Sequence, residues 1–224
     1  MQPGRIEKKN LIFRSYIQAR RATESDMPAV YQIAASVGKS AKDSTQGFLI
    51  DDYASQPEFY LQKFATLQKR LEHFYVAENI SDLKKRMVVG FLIAYTREQW
   101  LEDNPNWIEE VKWHPSFDRR RLENFIVVDK TAIRAQLTGH GIGSVLYKRL
   151  IADILPKGIT TIMAETIISP IPNFASLAFR KKQDYTLAGV RYEPYLGEMY
   201  TDLIYFKEIG EELVTEKQVT GNKG

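Results

Sequence analysis

The 224-residue chain contains no cysteine. That excludes a disulfide framework, a thiolate nucleophile and any zinc site of the cysteine type. No apolar run approaches the ~20 residues a membrane-spanning helix requires. The opening "MQPGRIEKKNLIF" is charged and lacks the apolar core of a signal peptide. Charge of one sign is also scarce: 31 Lys and Arg against 28 Asp and Glu leave +3, too little to argue for nucleic acid as a partner. The basic triplets Lys84-Lys85-Arg86, Arg119-Arg120-Arg121 and Arg180-Lys181-Lys182 are short and lie near acids, and they read as solvated surface. For the third, contact with phosphates is the rival. A protein of the cytoplasm is expected, with no membrane or nucleic-acid partner. No internal repeat or low-complexity linker divides the chain. At 44% apolar residues it can build a core.

Strand and helix patterns recur in the order β-α-α-β-β-β-α-β-α-β-β. "SYIQARRA" alternates as a strand. In "TESDMPAVYQIAASVG", Thr23 and Asp26 pair at capping-box spacing, Pro28 suits a first turn and Gly38 can stop the helix. "PEFYLQKFATLQKRLEHF" repeats apolar residues at helical spacing. Phe74–Glu78 and Met87–Thr96 read as strands of a hairpin. Residues 97–122, with Trp100, Trp107 and Trp113 among the acids Glu102, Asp103, Glu109 and Glu110, read as an irregular insert. "NFIVVDKTAI", "ITTIMAETII", "YTLAGVRY" and "EMYTDLIYFKEI" are strands, and "NFASLAFRKKQ" is a helix with Asn173 at its cap. The expected organisation is an N-terminal extension (1–15), one domain (16–209) and a polar, disordered tail (210–224). Alternation of strands and helices in the C-terminal half, after early hairpins, predicts an α/β fold with a mixed sheet.

The most informative stretch is "LTGHGIGSVLYKRL", Leu137 to Leu150. Three glycines at alternate positions sit between a strand and an amphipathic helix. A helix start carries unpaired N–H groups and partial positive charge, and glycines let an anion approach them. Thr138 to Gly143 therefore form a candidate cradle for a phosphate or pyrophosphate. A Walker loop needs lysine before Ser144, where Gly143 stands. The dinucleotide fingerprint needs its third glycine one residue later.

The motif resembles that of the GNAT family, the Gcn5-related N-acetyltransferases, written Arg/Gln-x-x-Gly-x-Gly/Ala. Gly141 and Gly143 take the motif glycines, and Thr138 stands where Arg or Gln is usual. "NFASLAFRKKQDY" is similar to the family's "N-x-x-A-x-x-F-Y-x-K-x-G-F", with Arg180 at the tyrosine and Asp184 at the glycine. "IQARRATESDMPAVYQI" resembles the opening strand and helix, and "FYVAEN" with "MVVGFLIAY" the central hairpin. The resemblance covers most of residues 16–209, in order. It implies a mixed sheet splayed between its fourth and fifth strands, with helices on both faces and acetyl-CoA in the splay as cosubstrate. The pantetheine arm would pair with backbone at Ile133, Arg134 and Ala135. The pyrophosphate would meet Leu137, Thr138, Gly139, His140, Gly141, Ile142, Gly143 and Ser144. Asn173 would reach the cofactor, and Arg180 its phosphates. No metal is implied.

The implied reaction is direct attack of an amine on the thioester. A base must take the amine's proton, and a backbone N–H near Ile133 could stabilise the oxyanion. Asp129 and Glu165 are the carboxylate candidates for the base. Glu165 interrupts an apolar strand, where burial would raise its pKa. His140 is a weaker one. Many family members donate a proton to sulfur from the tyrosine that Arg180 replaces, and arginine is a poor proton donor. Tyr185 is the substitute chosen from Tyr185, Tyr192 and Tyr195. Acids of the insert would attract a cationic small-molecule or peptide amine. Self-association as a homodimer is left open. The alternative is a CoA or acetyl-CoA sensor without turnover, which the Arg180 and Asp184 departures keep in view.

Overall fold

Buried along nearly all their length, the strands "HFYVAEN" and "VVGFLIAY" serve two cores at once. Phe74, Val76, Phe91 and Ile93 face one, and Tyr75, Ala77, Leu92 and Ala94 the other. Strands covered on both faces read as continuous apolar runs rather than as alternation. The computed structural model describes residues 16–81, 86–195 and 197–210. The expected extension 1–15 and the tail beyond Gly210 lie outside the described residues.

Eight strands form one sheet: β1 (Ile17–Arg21), β2 (His73–Asn79), β3 (Met87–Thr96), β4 (Lys112–Trp113), β5 (Ile126–Ile133), β6 (Thr161–Ser169), β7 (Thr186–Tyr195) and β8 (Glu198–Glu208). Their spatial order is β1-β2-β3-β5-β6-β8-β7-β4. Helices α1 (Met27–Ser36) and α2 (Pro57–Arg70) lie on the first core's side. Helix α5 (Ile142–Ile154) lies on the other, burying Ile142, Leu146, Leu150 and Ile154. The insert is more ordered than its composition suggests. It contains α3 (Arg97–Asp103), α4 (Trp107–Glu110) and β4, which adds an eighth strand beside β7. Helix α6 (Phe174–Lys182) follows β6. Among the described residues no helix is long and apolar enough to cross a membrane.

The sheet is split down its middle. β5 pairs antiparallel with β3 out to Ile133. It pairs in parallel with β6 only at Ile126↔Ile162, Val127↔Met163 and Val128↔Ala164. On its other edge β6 stays paired with β8 along its length, from Thr161↔Glu208 to Ser169↔Thr201. On the β3 side the register skips Asp129, since Ile93 faces Lys130 and Ala94 faces Val128. A bulge of this kind bends its strand and re-aims a side chain, and it falls where β5 leaves β6.

Two local expectations change. Gly38 does not stop α1 in a left-handed turn: the helix ends at Ser36, and Gly38 has φ −77°. A Cβ there would lie 2.9 Å from Tyr53 Cδ2 and 3.0 Å from the Asp51 carbonyl, so the glycine admits a neighbouring segment. Asp184, at the family's glycine position, adopts φ +56°. It takes the left-handed conformation that glycine otherwise supplies, which aspartate tolerates better than most residues.

Candidate active site

The loop after β5 first makes a single 3-10 turn, Ala135–Leu137. Gly139 (φ +84°) and Gly141 (φ +81°) then hold left-handed backbone, and Gly141 caps α5. An L side chain at either position would be strained. A Cβ on Gly139 would meet nothing within 4 Å, so its freedom serves the turn and the open space beside it. The first N–H groups of α5 have no intrahelical partner and aim into that space with the positive end of the helix dipole.

The space is a cavity of about 640 Å³ that runs from this loop, through the split between β5 and β6, to the floor formed by β6, β8 and β7. Ile133, Leu137, Thr138, Gly139, Gly141, Ile142, Gly143, Ser144, Asn173 and Arg180 all line it, as do Asp129 and Glu165. Arg134, Ala135, His140 and Tyr185 do not. Arg134 turns toward β3, donating from its backbone N–H to Val89 (2.9 Å) and from Nε to the Val88 carbonyl (3.1 Å). The edge left unpaired by β6 is therefore upstream, Asp129 to Ile133. The Nδ1 of His140 lies 3.2 Å from the carbonyls of Leu137 and Thr138, within its own loop. Tyr185 packs edge-on against Tyr147, at 6.3 Å and 88°.

Asn173 is buried and commits its amide to the protein. Its Oδ1 accepts from Ser176 N–H (3.1 Å), capping α6, and its Nδ2 donates to the Phe48 carbonyl (3.0 Å). Arg180 is buried too, against the surface expectation. It donates to Tyr147 Oη (2.7 Å) and Thr166 Oγ1 (3.3 Å). The apolar body of α6 brings it inward, with Phe179 beside Gly143 and Tyr147.

Residues 43–53, which carry no helical or alternating pattern, form a strap over the cavity. Ala175 N–H donates to the Ser44 carbonyl (3.0 Å), and Tyr195 Oη donates to Asp51 Oδ1 (2.5 Å). Tyr53 Oη donates to Asp51 Oδ2 (2.9 Å). Burial opposes ionisation of Asp51, but the Lys130 charge and the two tyrosine hydroxyls outweigh it and hold the carboxyl below its ordinary value. The Lys130 Nζ sits 2.7 Å from Asp129. Desolvation alone would depress that ammonium, yet Asp129, Tyr53 and Asp51 raise it well above the ordinary lysine value. Asp129 is thus spoken for by a cation, whereas Glu165 is held differently.

Glu165 points from β6 into the floor with about 20% of its side chain exposed. Trp107 Nε1 donates to its Oε1 at 2.6 Å, and Arg191 Nη1 lies 3.6 Å away. Burial pushes its carboxyl up to about 7, against the opposing pull of Trp107 and Arg191, with Glu193 and Asp129 adding to the rise. Arg191 also holds Glu110 (2.8 Å) and Glu193 (2.9 Å). Asp202 faces the same floor, with one oxygen buried and unpartnered. Burial first, then the charges of Glu165 and Glu193, push it up to about 8 despite Arg191.

The insert's tryptophans stack edge to face, Trp100 on Trp107 at 6.0 Å and Trp107 on Trp113 at 5.5 Å. Trp100 reaches the cavity, and Trp107 reaches Glu165. The insert's acids do not line the cavity. Asp103 pairs with Arg70, Glu110 with Arg191, and Glu102 and Glu109 are exposed. The acids that face it come from the strap and the strands: Asp51, Asp129, Glu165, Glu193 and Asp202.

No protein-family model and no curated protein matches the sequence. The architecture does match solved structures. An N-acetyltransferase from Staphylococcus aureus Mu50 superposes with a TM-score of 0.54 at 19% identity, covering 86% of this chain and 98% of that one. The fold is that of the GNAT acetyltransferases. The ribosomal-protein-S18-alanine N-acetyltransferase from Escherichia coli matches at 0.52 and 16% identity, over 87% and 97% of the two chains. PaiA N-acetyltransferase from Thermoplasma acidophilum, solved in complex with coenzyme A, matches at 0.53 and 15% identity, over 86% and 99%. Within the GNAT fold the split sheet of this chain carries its own set of floor residues.

Proposed function

We propose that the chain is an acetyl-CoA-dependent N-acetyltransferase acting on a primary amine. The observation that carries this is the continuity of one cavity from the glycine loop, along the unpaired β5 edge, to Glu165. The free edge from Asp129 to Ile133 spans four residue steps of about 3.3 Å, roughly 13 Å, enough to hold an extended chain by main-chain hydrogen bonds. The residues fit acetyl-CoA: a helix start with two left-handed glycines for the pyrophosphate, then an unpaired strand edge for the pantetheine arm.

Acetyl-CoA supplies an acetyl thioester. A neutral amine attacks its carbonyl carbon, the nitrogen–carbon bond forms, and the carbon–sulfur bond breaks with its electron pair left on sulfur. The proton shed by nitrogen goes to Glu165. A carboxyl held near 7 is half ionised at neutral pH, so it can take that proton and release it again. Trp107 and Arg191 keep it from rising further. The acids of the floor and strap favour a cationic acceptor, which must lose a proton before attack.

Two measurements test this. Calorimetry should show coenzyme A binding, and free-thiol release from acetyl-CoA should rise with at least one amine from a panel of diamines, amino acids, peptides and aminoglycosides. Absence of coenzyme A binding by the folded protein overturns the proposal. Tight binding without amine-dependent thiol release would favour a CoA sensor of the same fold.

A further inference from the structure

Arg180 is a cation buried where few cations are found. Its residue is 7% exposed, and among the described residues no carboxylate lies within ion-pair distance of it. Its donors at Nε and Nη1 go to Thr166 and Tyr147. The guanidinium lies over the Tyr185 ring at 4.9 Å. Aromatic faces offset part of the cost of burying a cation, but they do not neutralise it. An arginine has five N–H donors, more than these neutral hydroxyl partners take up, and the residue lines the cavity.

Its position says which anion would complete it. Thr166, its partner, stands two residues beyond Ala164, the last β6 residue paired with β5. The guanidinium is therefore near the closed end of the split, whereas the glycine loop lies at the open end. If acetyl-CoA lies as proposed above, its phosphates occupy the loop and its sulfur the closed end. We propose that Arg180 is the thiolate-stabilising residue. As the carbon–sulfur bond breaks, the pair left on sulfur is held by the guanidinium as an ion pair, and no proton need be delivered to it. The guanidinium stays charged across the working pH range. The groups facing it are Tyr147 from α5, Tyr185, Tyr205 from β8 and Thr166 from β6, while Glu165 projects to the opposite face of β6.

The bound coenzyme A thiol reports this directly. Its titration, followed by thiolate ultraviolet absorbance on the wild-type complex, is expected at least one pH unit below that of free coenzyme A, a tenfold change in ionisation constant. In Arg180→Met the shift should vanish, while thermal unfolding shows whether the variant is folded. In the wild type, kcat should lack an alkaline limb, and Arg180→Tyr should create one. Because the first readout is made on coenzyme A, failure of the acetyltransferase proposal appears separately, as failure to bind. A wild-type thiol that titrates at or above the free value overturns the inference, whether or not the variants fold. So does a shift that persists in a folded Arg180→Met. If that variant loses affinity for adenosine 3′,5′-bisphosphate and leaves the thiol unmoved, Arg180 holds phosphate and the inference is likewise overturned.

Discussion

At its loop end the cavity is walled by main chain, from the unpaired edge Asp129–Ile133 to the left-handed glycines 139 and 141. At its floor end it is walled by charged side chains drawn from four places: Asp51 from the strap, Glu165 from β6, Arg191 and Glu193 from β7, and Asp202 from β8. In the proposed function, the first end serves the part of coenzyme A that all acyl donors share, and the second sets charge and pKa for the amine and its proton.

That division can be broken at either end. The largest effect is expected from Gly141→Asp, which puts a side chain and negative charge at the start of α5 where the backbone has φ +81°. Coenzyme A affinity by calorimetry should fall beyond ~100-fold, a loss of roughly 3 kcal/mol, with the floor unchanged. Unaltered affinity in the folded variant would remove the loop from the site. Glu165→Gln should do the converse. Thiol release should drop by about 10²–10⁴ with coenzyme A affinity kept, and the acid limb of kcat/KM near pH 7 should disappear. A variant that keeps the wild-type pH profile would show that another group takes the proton.

Trp107→Phe is a subtler change. It removes the hydrogen bond that draws the Glu165 carboxyl down, so the acid limb should move above 7, by about one unit at most. A limb that stays put would separate the tryptophan from the chemistry. The smallest effect is on stability. The folded chain keeps the Asp202 proton up to about pH 8, while an unfolded aspartate sheds it near its ordinary value of 3.8. The folded state thus binds more protons between those values, and stability declines as pH rises through that window. Asp202→Asn should raise Tm more at pH 9 than at pH 5. Equal shifts at both would mean that the carboxyl is ionised in the fold.

The loop end was legible because its signal is local. Gly139-x-Gly141-x-Gly143, a strand before and a helix after are contiguous, and backbone geometry follows from such spacing. Glu165 was legible as a charge within an apolar strand. Asp202 carried the same signal in "MYTDLIYF", where it shares an alternating face with Tyr200, Ile204 and Phe206, and Arg191 and Glu193 alternate in "GVRYEPY" with Gly189 and Tyr195. Nothing local says that these faces converge, because that depends on β8 lying between β6 and β7. The strap was harder still. "SAKDSTQGFLIDDY" has no periodicity, and its place is fixed by hydrogen bonds from residues more than a hundred positions away, Asn173 to Phe48 and Tyr195 to Asp51. Arg180 misled for a related reason: three consecutive bases suggest a solvated helix end, and only the packing of Phe179 against Tyr147 turns the first of them inward.

The order of strands has a consequence for synthesis. β6 leaves the ribosome long before its partner β8, and β7, which precedes β8, pairs with it rather than with β6. Until residues 198–208 emerge, the growing chain can assemble β1, β2, β3 and β5 with the glycine loop, while β6 keeps an open edge. Its wall of carboxylates is closed last, by the strand that carries Asp202, so a nascent chain would complete its glycine loop before its acidic floor.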